Sequence, residues 1–306
     1  MTTLSTLGSA QLSRAKSLPT QIIAPSPPRE IALELPRQRN ALLDGFFYDI
    51  GKLTSEEAEM LAPRYAAEGA ILAVWPSAAP EVRIWPDHAT FTSDTSGSYR
   101  ALTVAGVGSS ALGAAAFARN VADAIGGPVL SVVSGYGLAD LLTEALGGYF
   151  LFGHINLMRH VFETFDEVTR PSTALASNEV RIVRKSLDVR TLSALLSGEK
   201  HFDVLVGHSK GNLVISEALY ALGETDPQAL AHRGKETQVI TISARVAMPR
   251  AMTRVTDVLG TLDGFGLLNS RLSIRTDEPV PLAWHHTNTE LPFHLPVTAT
   301  LEKILG

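Results

Sequence analysis

Short, unbroken apolar runs alternate along this chain with longer stretches of helical composition. Ala101-Leu-Thr-Val-Ala-Gly-Val107 is one such run, interrupted near its end by glycine. Ala111 to Ile125 follows with helical composition until Gly126, Gly127 and Pro128 stop it, and Pro128 to Val133 reads as another buried strand. Strand, helix and strand in that order form a β-α-β unit, whose strands lie parallel with helices on the faces of the sheet. Phe202 to Val206, Gln238 to Ser243 and Leu272 to Ile274 continue the strand series, with Val280 to Trp284 as a candidate last strand. Helices are predicted at Asn212 to Ala221, Met252 to Leu259 and Val297 to Leu305. Upstream, Ala70 to Trp75 and Val82 to Trp85 are β-like runs separated by Pro76 and Pro80, suited to the antiparallel start of a mixed sheet. Thr54 and Glu57 carry the signature of a capping box for a helix at Ser55 to Leu61, which Pro63 would kink or end.

Two regions depart from this pattern. Residues 1 to about 30 are rich in Ser, Thr and Pro and lack periodicity, so residues 1–45 are expected to be an extended or mobile arm ahead of a domain at 46–306. The span 137–200 is too long for a simple crossover. It contains the aromatic stretch Tyr149 to Phe152, a helical segment at Leu157 to Val168 and a polar break at Arg170 to Thr173. It suits either an inserted cap or lid or an enlarged helical layer, because apolar helical spacing serves both.

The chemistry concentrates where the run Val204 to Val206 turns through Gly207, His208, Ser209, Lys210 and Gly211 into a helix. Gly-x-Ser-x-Gly between strand and helix is a nucleophile elbow: the turn is tight, the serine backbone strained, and larger side chains at the glycine positions would collide with neighbouring elements. An ordinary helix start has no need of both glycines. From Ala101 onward the chain resembles the α/β-hydrolase superfamily, and within it the lipases and esterases. The resemblance implies an α/β-hydrolase fold, with a mostly parallel central sheet flanked by helices and a helical cap or lid at about 137–200. It also implies a chain order of serine, acid, histidine, each at the carboxyl end of a strand.

Under that order the acid lies among Asp226, Asp257, Asp263 and Asp277. Asp277 leads, because it follows the alternating stretch Arg271 to Thr276 and precedes Glu278 and Pro279 as in the family's acid loop; Glu278 is a neighbouring alternative. Asp257 and Asp263 read as exposed positions in or beside a helix, and Asp226 as a turn residue before Pro227. The base is sought among His285, His286 and His294, with His232 more distant. His286 leads, with His294 as the alternative base, on placement between the last strand and the terminal helix. Asp277 and His286 are only nine residues apart, shorter than the usual family connection, which favours His294. The oxyanion hole needs two backbone N–H groups; the resemblance gives these roles to Lys210 and, in the loop after Ala101 to Ala105, to Val107. The Lys210 side chain is expected to be solvated.

Composition narrows the alternatives. The 306 residues contain no cysteine, which excludes disulfides and thiolate chemistry. A net charge of −5 gives no electrostatic footprint for nucleic acid. No signal-type segment and no apolar run of spanning length is evident, so a cytoplasmic protein without a membrane span is expected. Gly106 to Gly113 invites a dinucleotide-binding reading, but its third glycine comes too late for Gly-x-Gly-x-x-Gly and no acidic residue closes the next strand. No His-Glu-x-x-His is present, and His154 and His160 are badly spaced for joint ligation. The expected function is therefore a cofactor-independent carboxylic ester hydrolase acting on a hydrophobic small-molecule substrate. Amide or thioester cleavage by the same triad and a non-catalytic hydrolase-like binding protein are the alternatives, with a dinucleotide-binding oxidoreductase ranked behind them. Oligomeric state is open.

Overall fold

The computed structural model describes residues 44–61, 68–94, 97–106, 109–134, 186–268, 270–271 and 273–306. In chain order the elements are α1 (Ser55–Met60), β1 (Ile71–Val74), β2 (Val82–Trp85), α2 (His88–Ser93), β3 (Ala101–Val104), α3 (Ala111–Ile125), β4 (Val129–Val132) and α4 (Leu187–Ser197). They continue with β5 (Val204–His208), α5 (Lys210–Thr225), α6 (Pro227–Glu236), β6 (Gln238–Ile242), β7 (Val255–Gly260), α7 (Gly264–Leu268), β8 (Glu278–Val280) and α8 (Val297–Leu305).

The eight strands form one sheet in the order β2-β1-β4-β3-β5-β6-β7-β8. β1 is antiparallel to both β2 and β4, while β4, β3, β5, β6, β7 and β8 run parallel. The molecule thus belongs to the α/β class, with a mixed, mostly parallel sheet. From β3 the chain crosses to β4 on one side; from β5 it crosses to β6 on the other. β3 and β5 are neighbours, so the crevice beyond their carboxyl ends is a topological switch point, the usual ligand position in open α/β sheets.

Each strand alternates its side chains between two cores. Leu72, Val74, Val206, Ile240, Ile242 and Val258 face the layer containing α3 and α8, whereas Ile71, Ala73, Leu102, Leu130, Leu205 and Val239 face the layer of α4 and α5. Burial on both faces explains why the strands read as unbroken apolar runs. Alanines 114, 115, 116 and 118 of α3 are fully buried; their small side chains let the helix lie close to the sheet. Ser110 caps α3 through Oγ, which accepts the Leu112 N–H at 3.1 Å, and Gly126 ends it with φ 71°. The capping box at α1 forms as expected between Thr54 and Glu57.

Three expectations are corrected. Met252 to Leu259 is not a helix: Val255 begins a strand that pairs with β6 and β8. The β-branched Val255, Thr256 and Val258 favour the pleated state, and a free place between two strands decides it. Described residues near Leu272 to Ile274 form a turn. The strand instead lies at Glu278–Val280, at the sheet edge where Pro279 is tolerated, and Pro281 to Trp284 is not a strand. Finally, residues 44 and 45, assigned to the arm, are helical and tied into the domain: the Asp44 carboxylate accepts the N–H groups of Ser110 and Gly113 at 2.9 and 3.0 Å.

Within 137–200, α4 packs on α5 as part of the helical layer. Tyr149 to Phe152 and the segment Leu157 to Val168 lie outside the described residues. Among the described residues, no helix is long and apolar enough to cross a membrane.

Candidate active site

β5 ends at His208, and Ser209 carries the turn into α5 with φ 53° and ψ −119°. A non-glycine residue held in such a region costs about 1–3 kcal/mol and persists only where its surroundings enforce it. The Ser209 N–H donates to Ile242 O on β6 at 2.8 Å. Asn212, buried in the first turn of α5, donates from Nδ2 to the carbonyls of Ile242 and Ala244 at 2.9 and 2.8 Å. The elbow is thereby pinned to β6 from both sides. Both flanking glycines are sterically necessary. A Cβ on Gly207 would stand 2.9 Å from the Asn212 backbone nitrogen, and one on Gly211 2.7 Å from the Val104 carbonyl carbon. Backbone atoms cannot swing aside as side chains do.

Ser209 holds the N-cap position of α5, yet its side chain makes no capping bond. Its Oγ lies 3.1 Å from His285 Nε2. His285 Nδ1 lies 2.9 and 3.0 Å from the two carboxylate oxygens of Asp263. An ionised carboxylate only accepts, so Nδ1 carries the hydrogen and Nε2 of the neutral ring is the acceptor for the Ser209 hydroxyl. Burial opposes ionisation of Asp263. The hydrogen bond and charge interaction with His285, together with the Gly266 amide, outweigh it and hold the carboxyl below its ordinary pKa. The Gly266 N–H donates to Asp263 Oδ1 at 2.6 Å. Ser209, Asp263 and His285 are each at most 5% exposed.

No protein-family model, curated protein or solved structure matches this chain.

The three residues follow the carboxyl ends of β5, β7 and β8, so the parallel sheet gathers them at one edge. Chemically, a hydroxyl aimed at the free nitrogen of an imidazole, itself anchored to a carboxylate, can surrender its proton as the oxygen attacks an electrophile.

The histidine and the carboxylate that line up with Ser209 differ from those expected. His286 does not reach Ser209: its Nε2–H donates to Pro292 O at 3.0 Å, and its ring packs against Phe46 and Trp284 with centroids 5.7 Å away in each case. Burial pushes its pKa down. His294 bonds Leu291 O through Nδ1 at 3.0 Å. Adjacent residues on this loop point in different directions, and it is His285 that turns inward. Asp277 lies on the wrong side of its strand. It precedes β8, where its Oδ2 accepts the Asp257 N–H at 2.9 Å, whereas Asp263 follows β7. Reading β7 as a helix had moved the expected acid loop along by one strand. Glu278 instead pairs with Lys303, Asp226 caps α6 through the Ala229 N–H at 2.9 Å, and Asp257 is a buried strand residue bonded to Thr241.

Lys210 opens α5, so its N–H belongs to a first turn whose donors lack intrahelical acceptors. Its side chain is not solvated: 9% exposed, it lies 3.8 Å from the fully buried Asp188 of α4. Val107 lies outside the described residues. The preceding Gly106 donates its N–H to the Tyr48 hydroxyl at 2.7 Å. Tyr48 and His208, both against the site, were not anticipated. Their only sequence signal was a histidine beside the serine, and nothing local marked Tyr48. Among the described residues, no three His, Asp or Glu side chains are grouped to hold a metal ion.

Proposed function

We propose that this protein is a serine hydrolase of α/β-hydrolase fold that cleaves carboxylic esters through an acyl-enzyme. The observation that carries the reading is the buried line Ser209 Oγ, His285 Nε2, His285 Nδ1 and Asp263, with contacts of 3.1, 2.9 and 3.0 Å. Ser209 attacks the acyl carbon while His285 takes its proton and then delivers it to the departing alkoxide. Asp263 holds the ring in the required tautomer and stabilises the imidazolium. The Lys210 amide, at the positive end of α5, stabilises the oxyanion. Water then enters where the alcohol left. His285 removes its proton, hydroxide adds to the acyl carbon, and Ser209 leaves with the proton restored.

Support for the fold comes from the order serine, acid, base after the parallel strands β5, β7 and β8. Support for a hydrophobic ester comes from the exposed side chains of Phe265, Leu268, Leu282 and Phe293 on the segments that carry Asp263 and His285. A cysteine-free chain fits a cytoplasmic location. The dinucleotide reading is disfavoured because the N-terminal amides of α3 that would face a pyrophosphate are occupied by the buried Asp44 carboxylate.

The test is covalent labelling by a fluorophosphonate with peptide mapping, on wild type and on Ser209→Ala, His285→Ala and His286→Ala. The expected adduct is on Ser209, lost in Ser209→Ala, reduced by orders of magnitude in His285→Ala and retained in a folded His286→Ala. A folded wild type that labels at no serine, even with a small probe, removes the hydrolase reading.

A further inference from the structure

Hydrogens next to the triad have one consistent arrangement. His208 Nε2 lies 3.0 Å from the main-chain carbonyl oxygen of His285, and its Nδ1 lies 2.9 Å from the Tyr48 hydroxyl. A carbonyl only accepts, so Nε2 carries a hydrogen. Burial first, and then the neighbouring His285, push the His208 pKa down to about 3. The ring is neutral, Nδ1 holds a lone pair, and Tyr48 donates to it. The Tyr48 oxygen accepts the Gly106 N–H at 2.7 Å. Three hydrogen bonds of one polarity thus run from the end of β3, through Tyr48 and His208, to the backbone of His285.

That backbone is supported both from within its loop and from outside it. Residues 281–296 form no helix or strand. Asp263 orients the ring of His285. Within the loop the Trp284 N–H donates to Phe293 O at 2.6 Å and the Leu295 N–H to His286 O at 2.8 Å, and beyond β7 the Leu262 N–H donates to Ala283 O at 2.9 Å, while the bond to the His285 carbonyl itself comes from His208. The segment containing Tyr48 holds the rest of the loop as well. Phe47 O accepts the Thr287 N–H and hydroxyl at 2.8 and 3.0 Å. Gly45 O accepts Asn288 Nδ2 at 2.9 Å, and Asp49 accepts the Thr289 hydroxyl at 2.8 Å.

We propose that Tyr48 and His208 are positioning residues for His285, fixing its main chain so that Nε2 stays within reach of Ser209. The proposal rests on reading Ser209, His285 and Asp263 as a catalytic triad. Neither residue touches the reacting atoms, so both act on the chemical step and not on substrate capture. A misplacement of about 1 Å at a reacting group costs up to about 10²-fold in rate.

The test compares wild type, Tyr48→Phe, His208→Gln and the double variant for hydrolysis of p-nitrophenyl acetate and for the rate of fluorophosphonate labelling, with thermal unfolding to establish that each is folded. The expected result is a fall in kcat and in labelling rate of about tenfold or more. KM should stay within about twofold, and the double variant should be no slower than the worse single, because both changes break the same chain. In wild type, nitrogen-15 spectra should show His208 protonated at Nε2 and bare at Nδ1, a signature that needs no variant to fold. Wild-type kcat and labelling rate in a folded Tyr48→Phe overturn the proposal and leave the triad standing, as does a His208 protonated at Nδ1. A wild type that neither turns over the ester nor labels overturns the triad reading and the proposal with it. Should Tyr48→Phe not fold, His208→Gln and the wild-type tautomer decide the matter.

Discussion

Replacing Ser209 with glycine is expected to leave the protein more stable than replacing it with alanine. Both changes delete the hydroxyl and its bond to His285, so that loss cancels in the comparison, and both should be inactive. They differ only in what the backbone tolerates at φ 53° and ψ −119°. Alanine keeps a Cβ there and retains the strain, about 1–3 kcal/mol for such a residue. Glycine releases it but carries a conformational-entropy penalty of about 0.5–1 kcal/mol relative to alanine. The difference favours glycine by about 0–2.5 kcal/mol, centred near 1. For a domain of this size 1 kcal/mol corresponds to about 2–4 °C in Tm. Thermal unfolding of the two variants side by side measures it without any substrate. At an unstrained position glycine would melt lower than alanine. A Ser209→Gly protein that melts below Ser209→Ala would therefore refute the claim that the elbow stores strain.

The other expectations are briefer. Asp263→Asn should lower ester turnover by about 10³- to 10⁴-fold, by placing the imidazole in the wrong tautomer, whereas Asp277→Asn should stay near wild type; steady-state kinetics on one ester distinguishes them. Burial raises the Asp44 pKa from 3.8 to about 7. Between those values the folded state holds more protons than the unfolded, so this group's contribution to stability falls as pH rises from about 4 to 7. Asp44→Asn should remove that fall, so the stability of the variant relative to wild type should rise across this range. A difference independent of pH would show that Asp44 titrates normally.

The serine was legible because its constraint is local. Five residues carry the turn, and Gly207 must clear Asn212 in the helix that follows, although the Val104 carbonyl that Gly211 must clear lies on β3. The partners of Ser209 are specified by sheet position instead, and one misread element, β7, displaced the carboxylate. Val255 to Leu259 carries enough apolar residues at mixed spacing to pass for a helix; only the vacancy beside β6 makes it a strand. With β7 in place, Asp263 follows a strand, as the resemblance requires of an acid, and His285, 22 residues further on, follows the next. The choice between His285 and His286 had no local answer, because two adjacent rings on an irregular loop are told apart only by what stands on either side of them. His286 finds Phe46, Trp284 and Pro292 O; His285 finds Asp263 and Ser209.

Tyr48 marks where sequence reading stops. Its partner His208 is 160 residues away, and the Phe47 carbonyl lies 240 residues from its partner Thr287. Neither separation leaves a periodicity or a motif. The physical need was nevertheless deducible. A histidine borne on a loop without helix or strand depends on hydrogen bonds within the loop and from elsewhere, since every rotation of the main chain moves Nε2 relative to Ser209. The sheet supplies two fixed points, the elbow at β5 and the end of β3. The segment Asp44 to Asp49 connects both to the loop, capping α3 through Asp44, bonding Gly106 through Tyr48 and bonding Thr289 through Asp49. The irregular loop thus acquires the rigidity of the sheet through side chains that precede the first strand. The described N-terminal segment is part of the site's architecture, not an appendage to it.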